Sequence, residues 1–180
     1  MSDNNISPDT ILQYETCLTP PWSVHNFEID TSLSAHVKRE TPEIVYRNLF
    51  NELIHTDNHN NSQIYTDASK TSTGIGLAVI HESSTQIFQL NSHSSIYTAE
   101  YIALLKGVQT AVNTNYDRID ICSDSLSVLS NIKYNSQINP LVIKIKNIIH
   151  LSNKYILLYG LRVTAISKET KKQTKQPEML

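Results

Sequence analysis

"QIYTDASKTSTGIGLAVIHESSTQIFQLN", residues 63–91, is the stretch that decides the fold. Three of its parts are rich in strand-forming residues: QIYTDAS (63–69), GIGLAVIH (74–81) and QIFQLN (86–91). Short polar segments separate these parts, and ESST (82–85) has the composition of a hairpin turn. Because short turns join antiparallel strands, the stretch predicts a sheet whose first three strands are antiparallel.

Helical and β-rich segments alternate downstream of these strands. Residues 95–113 are apolar on nearly every side, which is typical of a helix buried in a layered domain. A β-rich run follows at 118–123, then two helical segments at 124–133 and 139–154, and a last apolar strand at 154–160. This order predicts an α/β fold in which helices flank a mixed sheet.

The two ends of the chain differ from this central part. Residues 1–62 have little periodicity, apart from a helical stripe at 42–55, so we expect a connector with one helix. Residues 63–160 are then the globular domain. Residues 161–180 carry five Lys or Arg against two Glu and little to bury, which predicts a disordered basic tail.

Composition excludes several classes of protein. No apolar run approaches the roughly 20 residues of a membrane span, and the N-terminus lacks the features of a secretory signal. Cys17 and Cys122 fit no metal-binding spacing, so we expect reduced thiols in an intracellular protein, cytoplasmic or nuclear, without a membrane partner. The net charge of −2 argues against a passive electrostatic binder of nucleic acid.

Three carboxylates stand at the boundaries of predicted elements. Asp67 lies in the first strand of the domain, Glu100 in the first turns of the apolar helix, and Asp124 where a strand gives way to a helix. Each acid alone is explained about as well, or better, as a cap of a turn or helix. Together they favour a site for hard divalent cations, because Mg²⁺ prefers oxygen ligands and open α/β sheets bind ligands at strand ends.

The combination "YTDAS…TAEYIALL…CSDSLSVL" resembles the ribonuclease H family. It is most similar to the domain found in insect non-LTR (LINE-like, jockey- or I-type) retrotransposons. The resemblance covers residues 63 to about 160, and the connector more weakly resembles the segment that joins reverse transcriptase to ribonuclease H. It implies a five-stranded mixed sheet whose first three strands are antiparallel, which agrees with the predicted order of elements.

The resemblance also implies a role for each matching residue. Asp67 bridges two Mg²⁺ ions, for which Mn²⁺ is a possible substitute, while Glu100 and Asp124 complete the shell of the first ion. Ser69 and Ser125 match positions near the backbone of the bound nucleic acid. The implied substrate is the RNA strand of an RNA–DNA hybrid, and a reverse transcriptase domain is a possible partner.

The tail lacks what the resemblance leads us to expect. Ribonuclease H proteins follow the last strand with a His-containing loop and a final helix that carries a fourth acid. Here no Asp follows Asp124 and no His follows His150. Reading Tyr159 to Thr174 one base out of frame, with all codon options, permits that missing motif. We therefore hypothesise a frameshift after about Leu158, which removes the fourth acid and the final helix.

Three functions remain open from the sequence. The first is a ribonuclease H-type endonuclease that uses two metal ions and whose cleavage is weak or absent because the fourth acid is lost. The alternative is a non-catalytic remnant of a retrotransposon polyprotein that binds nucleic acid or packs against a reverse transcriptase. A transposase or integrase core ranks last, because it needs a late helical carboxylate and residues 139–153 contain none.

Overall fold

The computed structural model describes residues 16–18, 27–35, 41–55, 61–72, 74–134 and 139–161. Its strands are β1 (Phe27–Asp30), β2 (Ser62–Thr71), β3 (Gly74–His81), β4 (Ser84–Leu90), β5 (Arg118–Ser123) and β6 (Tyr155–Gly160). Its helices are α1 (Glu43–His55), α2 (Ile96–Val112), α3 (Leu126–Lys133) and α4 (Pro140–Leu151), with a short 3₁₀ helix at Ser32–Ala35. Within the described ranges, none of the helices combines the length and the apolar character that crossing a membrane requires.

The strands form one mixed sheet in the order β1-β6-β5-β2-β3-β4. The pairs β2–β3 and β3–β4 are antiparallel, whereas β2–β5, β5–β6 and β1–β6 are parallel. The predicted α/β class and the antiparallel arrangement of the first three strands of the domain are confirmed. The tail predicted to be disordered is residues 161–180. Its first residue, Leu161, is described and buried, whereas residues 162–180, which the expected loss of a final helix also concerns, lie outside the described residues.

The predicted number of five strands is wrong, because the sheet has six. The additional strand, β1, lies in the region expected to be a connector. It pairs in parallel with β6, from Phe27 opposite Ile156 to Asp30 opposite Tyr159. A strand of four residues is too short to show a periodic pattern, and its partner lies far along the chain. Pairing with β1 also shields the edge that β6 would otherwise present to solvent.

Two predicted strand boundaries also differ from the structure. β2 continues to Thr71 instead of ending at Ser69, and β4 begins at Ser84. The turn between β3 and β4 is therefore shorter than the predicted segment 82–85. Side chains near both ends are polar and exposed, but the backbone still pairs there, as between Lys70 and Ile75. The polar composition predicted turns at these places. The side chains there do face water, but the backbone is still paired in the sheet.

The main core lies between one face of the sheet and helices α2, α3 and α4. Helix α2 is its centre, with eight buried residues along seventeen. The core joins apolar residues of the sheet to apolar residues of all three helices. Examples are Ile64, Ile121 and Leu158 from the strands with Leu104, Val108, Leu129, Ile145 and Ile149 from the helices. The predicted burial of this helix on nearly every side is confirmed.

The opposite face of the sheet carries a second, smaller core. Helix α1 contributes Tyr46, Phe50 and Ile54, which pack with Cys122 and Tyr159 of the sheet. The helix predicted at 42–55 is present, and it packs against the sheet. The boundary between a connector and a domain at residue 62 stays a prediction.

Helix α2 crosses β2 at Gly107, where the space between the helix and the strand is too small for a side chain on the helix. A Cβ at Gly107 would stand 2.6 Å from Cγ2 of Thr66 and 3.4 Å from Cγ2 of Ile121. Thr66 is buried and its hydroxyl donates to the Cys122 carbonyl at 3.3 Å, so it has little freedom to move. The absence of a side chain at Gly107 therefore sets how closely α2 approaches the sheet, next to Asp67.

We predict that Gly107→Ala destabilises the protein by about 1–3 kcal/mol, since an added methyl group in a packed core forces neighbours to shift. Thermal unfolding followed by circular dichroism measures the change. The control is Gly76→Ala in β3, where a Cβ would meet only the Phe88 carbonyl oxygen at 3.8 Å. Equal melting temperatures for the two variants would contradict the close approach of α2.

Phe50→Ala tests whether α1 belongs to the folded domain. Phe50 is buried in the second core, so we expect a loss of about 3 kcal/mol in the free energy of unfolding, in a single cooperative transition. Ile44→Ala on the same helix removes a side chain that is 61% exposed and should change stability little. If Phe50→Ala leaves the unfolding of the sheet unchanged, α1 is a connector and not part of the domain.

Candidate active site

Backbone pairing places two of the predicted acids side by side. The parallel ladder between β2 and β5 ends with Thr66 opposite Ser123. Asp67 and Asp124 are the next residues on the two chains, and both stand at the carboxyl edge of this strand pair. Crevices at such edges are where open α/β sheets bind ligands.

The third predicted acid reaches this edge from a helix. Helix α2 begins after Ser95, whose side chain accepts a hydrogen bond from the Thr98 backbone N–H at 3.0 Å. Glu100 follows one turn into the helix. Its Oε2 accepts a hydrogen bond from Oγ of Ser125 at 2.5 Å, and Ser125 directly follows Asp124. The structure therefore brings all three acids into one neighbourhood.

The charges of these acids affect one another. Burial, together with the negative charges of Asp67 and Glu100, raises the pKa of Asp124 to about 6. Burial also raises the pKa of Asp67, opposed by a hydrogen bond from the Ala68 backbone and assisted by the Glu100 charge. Among the described residues, the two salt bridges join Arg47 to Glu43 and His81 to Glu82, and neither involves these acids. Within the part of the chain that the structure describes, the site therefore gathers negative charge without a salt bridge to offset it.

A divalent cation fits this site by chemistry but not by the present side-chain arrangement. Carboxylates are the ligands that hard cations prefer, and a bound cation would relieve the repulsion that raises the pKa of Asp124. Within the part of the chain that the structure describes, however, no three acidic, His or Cys side chains are grouped closely enough to hold one ion. Binding an ion therefore requires the three carboxylates to turn toward one another.

The structure removes the simpler explanations of the three acids as caps. Asp67 precedes no turn at Ser69, because β2 continues to Thr71. The Glu100 side chain accepts a hydrogen bond from Ser125, at the start of another helix. Asp124 is not the N-cap of α3, since Ser125 occupies that position. The three acids therefore do not occupy the cap positions considered from the sequence, and Glu100 instead links α2 to the start of α3.

The two predicted substrate-binding serines have different surroundings. Ser69 is exposed and lies two residues beyond Asp67 on the same side of β2, about 7 Å along the strand. Ser125 is 5% exposed, and its hydroxyl is already used by Glu100. Ser69 is accessible to a bound molecule, whereas Ser125 is positioned to act on Glu100.

Sequence reasoning missed a second polar contact between α2 and α3 near the acids. The side-chain amide of Asn131 donates to the hydroxyls of both Tyr97 and Tyr101. The bond to Tyr101 measures 2.9 Å, and the two tyrosine rings meet edge to face. The spacing of four residues places both tyrosines on one face of α2, beside Glu100, but nothing in the sequence indicates Asn131 as their partner.

The chain matches a known protein family over the part that carries the three acids. The model of the reverse transcriptase-like family matches residues 65–157, which is just over half of the 180-residue chain and includes all three acids. The chain belongs to the reverse transcriptase-like family. No curated protein sequence matches the chain significantly.

Two solved ribonuclease H1 structures are similar to this member of the family. The enzyme of the halophilic archaeon Halobacterium salinarum NRC-1 has 12% identity and a TM-score of 0.48, over 60% of this chain and 90% of that chain. LC11-RNase H1 in complex with an RNA/DNA hybrid has 13% identity and a TM-score of 0.48, over the same shares. Similarities of this degree say nothing about the chemistry of the site.

We predict that the stability of the metal-free protein falls as pH rises through about 6, the pKa of Asp124. The pKa of Asp124 in the folded protein lies above its ordinary value of 3.8, so folding favours the protonated carboxyl. The stabilising contribution is complete below about pH 3.8 and is lost as the group ionises. Asp124→Asn should therefore flatten this pH dependence and raise the melting temperature at pH 7.

Melting temperatures measured in EDTA between about pH 4 and pH 8 test this expectation. Asp117→Asn, which changes an exposed aspartate, is the matched control and should keep the wild-type profile. Parallel profiles for wild type and Asp124→Asn would show that Asp124 is not under repulsion in the folded state.

Proposed function

We propose that this chain is a ribonuclease H-type endonuclease domain that hydrolyses the RNA strand of RNA–DNA hybrids. One observation carries the proposal: Asp67, Glu100 and Asp124 lie near one another at the carboxyl edge of the parallel strands, and neither salt bridge found among the described residues involves them. Membership of the reverse transcriptase-like family supports it. We further propose descent from an insect non-LTR retrotransposon, because of the motifs around these three acids.

The proposed cofactor is a pair of Mg²⁺ ions, with Mn²⁺ as a possible substitute. Such a pair activates a water molecule and stabilises the leaving oxygen of a phosphodiester. Asp67 would contribute its carboxylate from the sheet. Asp124 contributes a second carboxylate from the neighbouring strand end, and Glu100 a third from α2. Their mutual repulsion favours cation binding, because the cation offsets charges that burial makes costly.

The proposed substrate is a duplex, and the location of the acids is compatible with one. Asp67, Glu100 and Asp124 are each partly exposed. They lie at the edge of the sheet where the chain leaves β5 and enters α3. A cavity of about 460 Å³ lies elsewhere, toward the far end of α2, and its lining includes Phe88, Lys106 and none of the three acids. An open edge admits a duplex backbone, and a hybrid can be selected there by its shape and 2′-hydroxyls.

The activity of this chain should be low. Beyond Asp124 the sequence contains no Asp, and its last acids are Glu169 and Glu178 in the basic tail. A fourth carboxylate supports the second ion in the proteins that this chain resembles. Without it, we propose that the three acids bind one ion well and the second weakly, so that cleavage is weak or absent. A reverse transcriptase domain is a proposed partner in a longer polyprotein.

Hybrid cleavage tests the proposed function. We expect a version of the chain with the shifted reading frame restored to cleave labelled RNA in a hybrid with Mg²⁺, at least about 100-fold faster than the present chain. Asp67→Asn in the restored chain should remove this activity, whereas Asp117→Asn should not. Denaturing gels of the labelled RNA strand provide the rates. A restored chain that does not cleave hybrids overturns the assignment as a ribonuclease.

A non-catalytic role is the second candidate, and the missing fourth acid favours it. In that case the chain binds hybrid through its surface and the acids are a relic. Hybrid affinity that is unchanged by Mg²⁺ and by Asp67→Asn would then be observed in a filter-binding or anisotropy experiment. Affinity that depends on both would assign the binding to the acidic site.

A further inference from the structure

Ser125 occupies the N-cap position of α3 but does not use its side chain as a cap. An N-cap serine normally accepts a hydrogen bond from a backbone N–H of the first helical turn, as Ser95 does for α2. No such bond is present at Ser125. Its hydroxyl instead donates to Oε2 of Glu100 at 2.5 Å. The residue thus forgoes a stabilising local contact and makes a contact with an acid on another helix.

The Ser125 hydroxyl is itself held in place. The residue is 5% exposed, and its backbone N–H donates to Oγ of Ser123 at 3.3 Å. Oγ of Ser127 lies 3.3 Å from Oγ of Ser125. Because Ser125 gives its hydroxyl proton to Glu100, Ser127 is the donor in that second contact. A chain of hydrogen bonds therefore fixes the direction in which Ser125 points.

We infer that Ser125 is a positioning residue that orients the Glu100 carboxylate for cation binding, an inference that rests on the proposed function. This hydrogen bond engages one of the two carboxylate oxygens of Glu100, Oε2. It restricts the rotation of a flexible side chain and holds the carboxylate beside the residue that follows Asp124, so that less freedom is lost when an ion binds. Loss of an outer-shell hydrogen-bonding partner of a metal ligand typically costs about 10- to 100-fold in metal affinity or activity.

A merely structural role would have a different signature, and Asn131 provides the comparison. Both residues link α3 to α2 by side-chain hydrogen bonds, but Asn131 contacts Tyr97 and Tyr101 and not Glu100. If the link between the helices were all that mattered, removing either residue would have the same effect. If Ser125 orients Glu100, only its removal should change the affinity for a metal ion.

The experiment titrates the full chain with Mn²⁺ and follows the free ion by electron paramagnetic resonance, so no activity is needed. We expect Ser125→Ala to weaken Mn²⁺ binding by about 10- to 100-fold. Ser125→Thr keeps the hydroxyl and should restore affinity to near the wild-type value. Asn131→Ala should lower the melting temperature while its Mn²⁺ affinity stays near that of wild type.

The outcomes separate this inference from the proposed function. Ser125→Ala that binds Mn²⁺ as tightly as wild type, or Asn131→Ala that loses as much affinity, overturns the positioning role. A wild-type chain that binds no Mn²⁺ overturns both the positioning role and the metal-dependent function. If the expected affinity ratios are found but a frame-restored chain cleaves no hybrid, the positioning role stands and only the ribonuclease assignment fails.

Discussion

The parallel register between β2 and β5 is the constraint on which the rest of the site depends. With Thr66 opposite Ser123, the next residues of both chains are aspartates. A shift by one residue would turn the alternating side chains of β2 to the other face, so that Asp67 would point into the main core and Ile64 would leave it. The apolar core therefore enforces the register, and the register brings two negative charges together. The free energy of core packing thus offsets a repulsion that the acids alone would avoid.

The position of the third acid, Glu100, depends on how α2 packs against the sheet. Helix α2 can lie close to β2 because Gly107 has no side chain where Thr66 approaches. The same helix, about two turns earlier, carries Glu100 toward the start of α3. The contact between Glu100 and Ser125 joins the helix to the strand end that carries Asp124. The site is therefore the meeting point of one register and one helix crossing, and a change in either one would separate the acids.

Much of this arrangement could be predicted from the sequence, because its signals are local and long. The continuous apolar surface of α2 predicted a central buried helix, and the helical segment at 139–154 predicted α4. The Asn139 side chain caps the start of α4 by accepting from the Leu141 N–H at 2.9 Å. Strand β1 could not be predicted, because four residues show no period and its pairing with β6 is decided by the tertiary fold. Nor could the Ser125 contact: the sequence shows that Ser125 follows an acid, but not which acid it touches.

The structure also separates the question of the fold from that of the missing fourth acid. The two cores include the last residues that the structure describes: Leu158 in the main core, and Tyr159 and Leu161 in the second. A Cβ at Gly160 would stand 2.6 Å from Cδ2 of Leu126, so the residues as they stand fit the sheet at that position. The frameshift hypothesis places its change after about Leu158, yet the packing is satisfied through Leu161. The residues that position Asp67, Glu100 and Asp124, such as Thr66, Gly107 and Ser125, all precede the hypothesised change of reading frame.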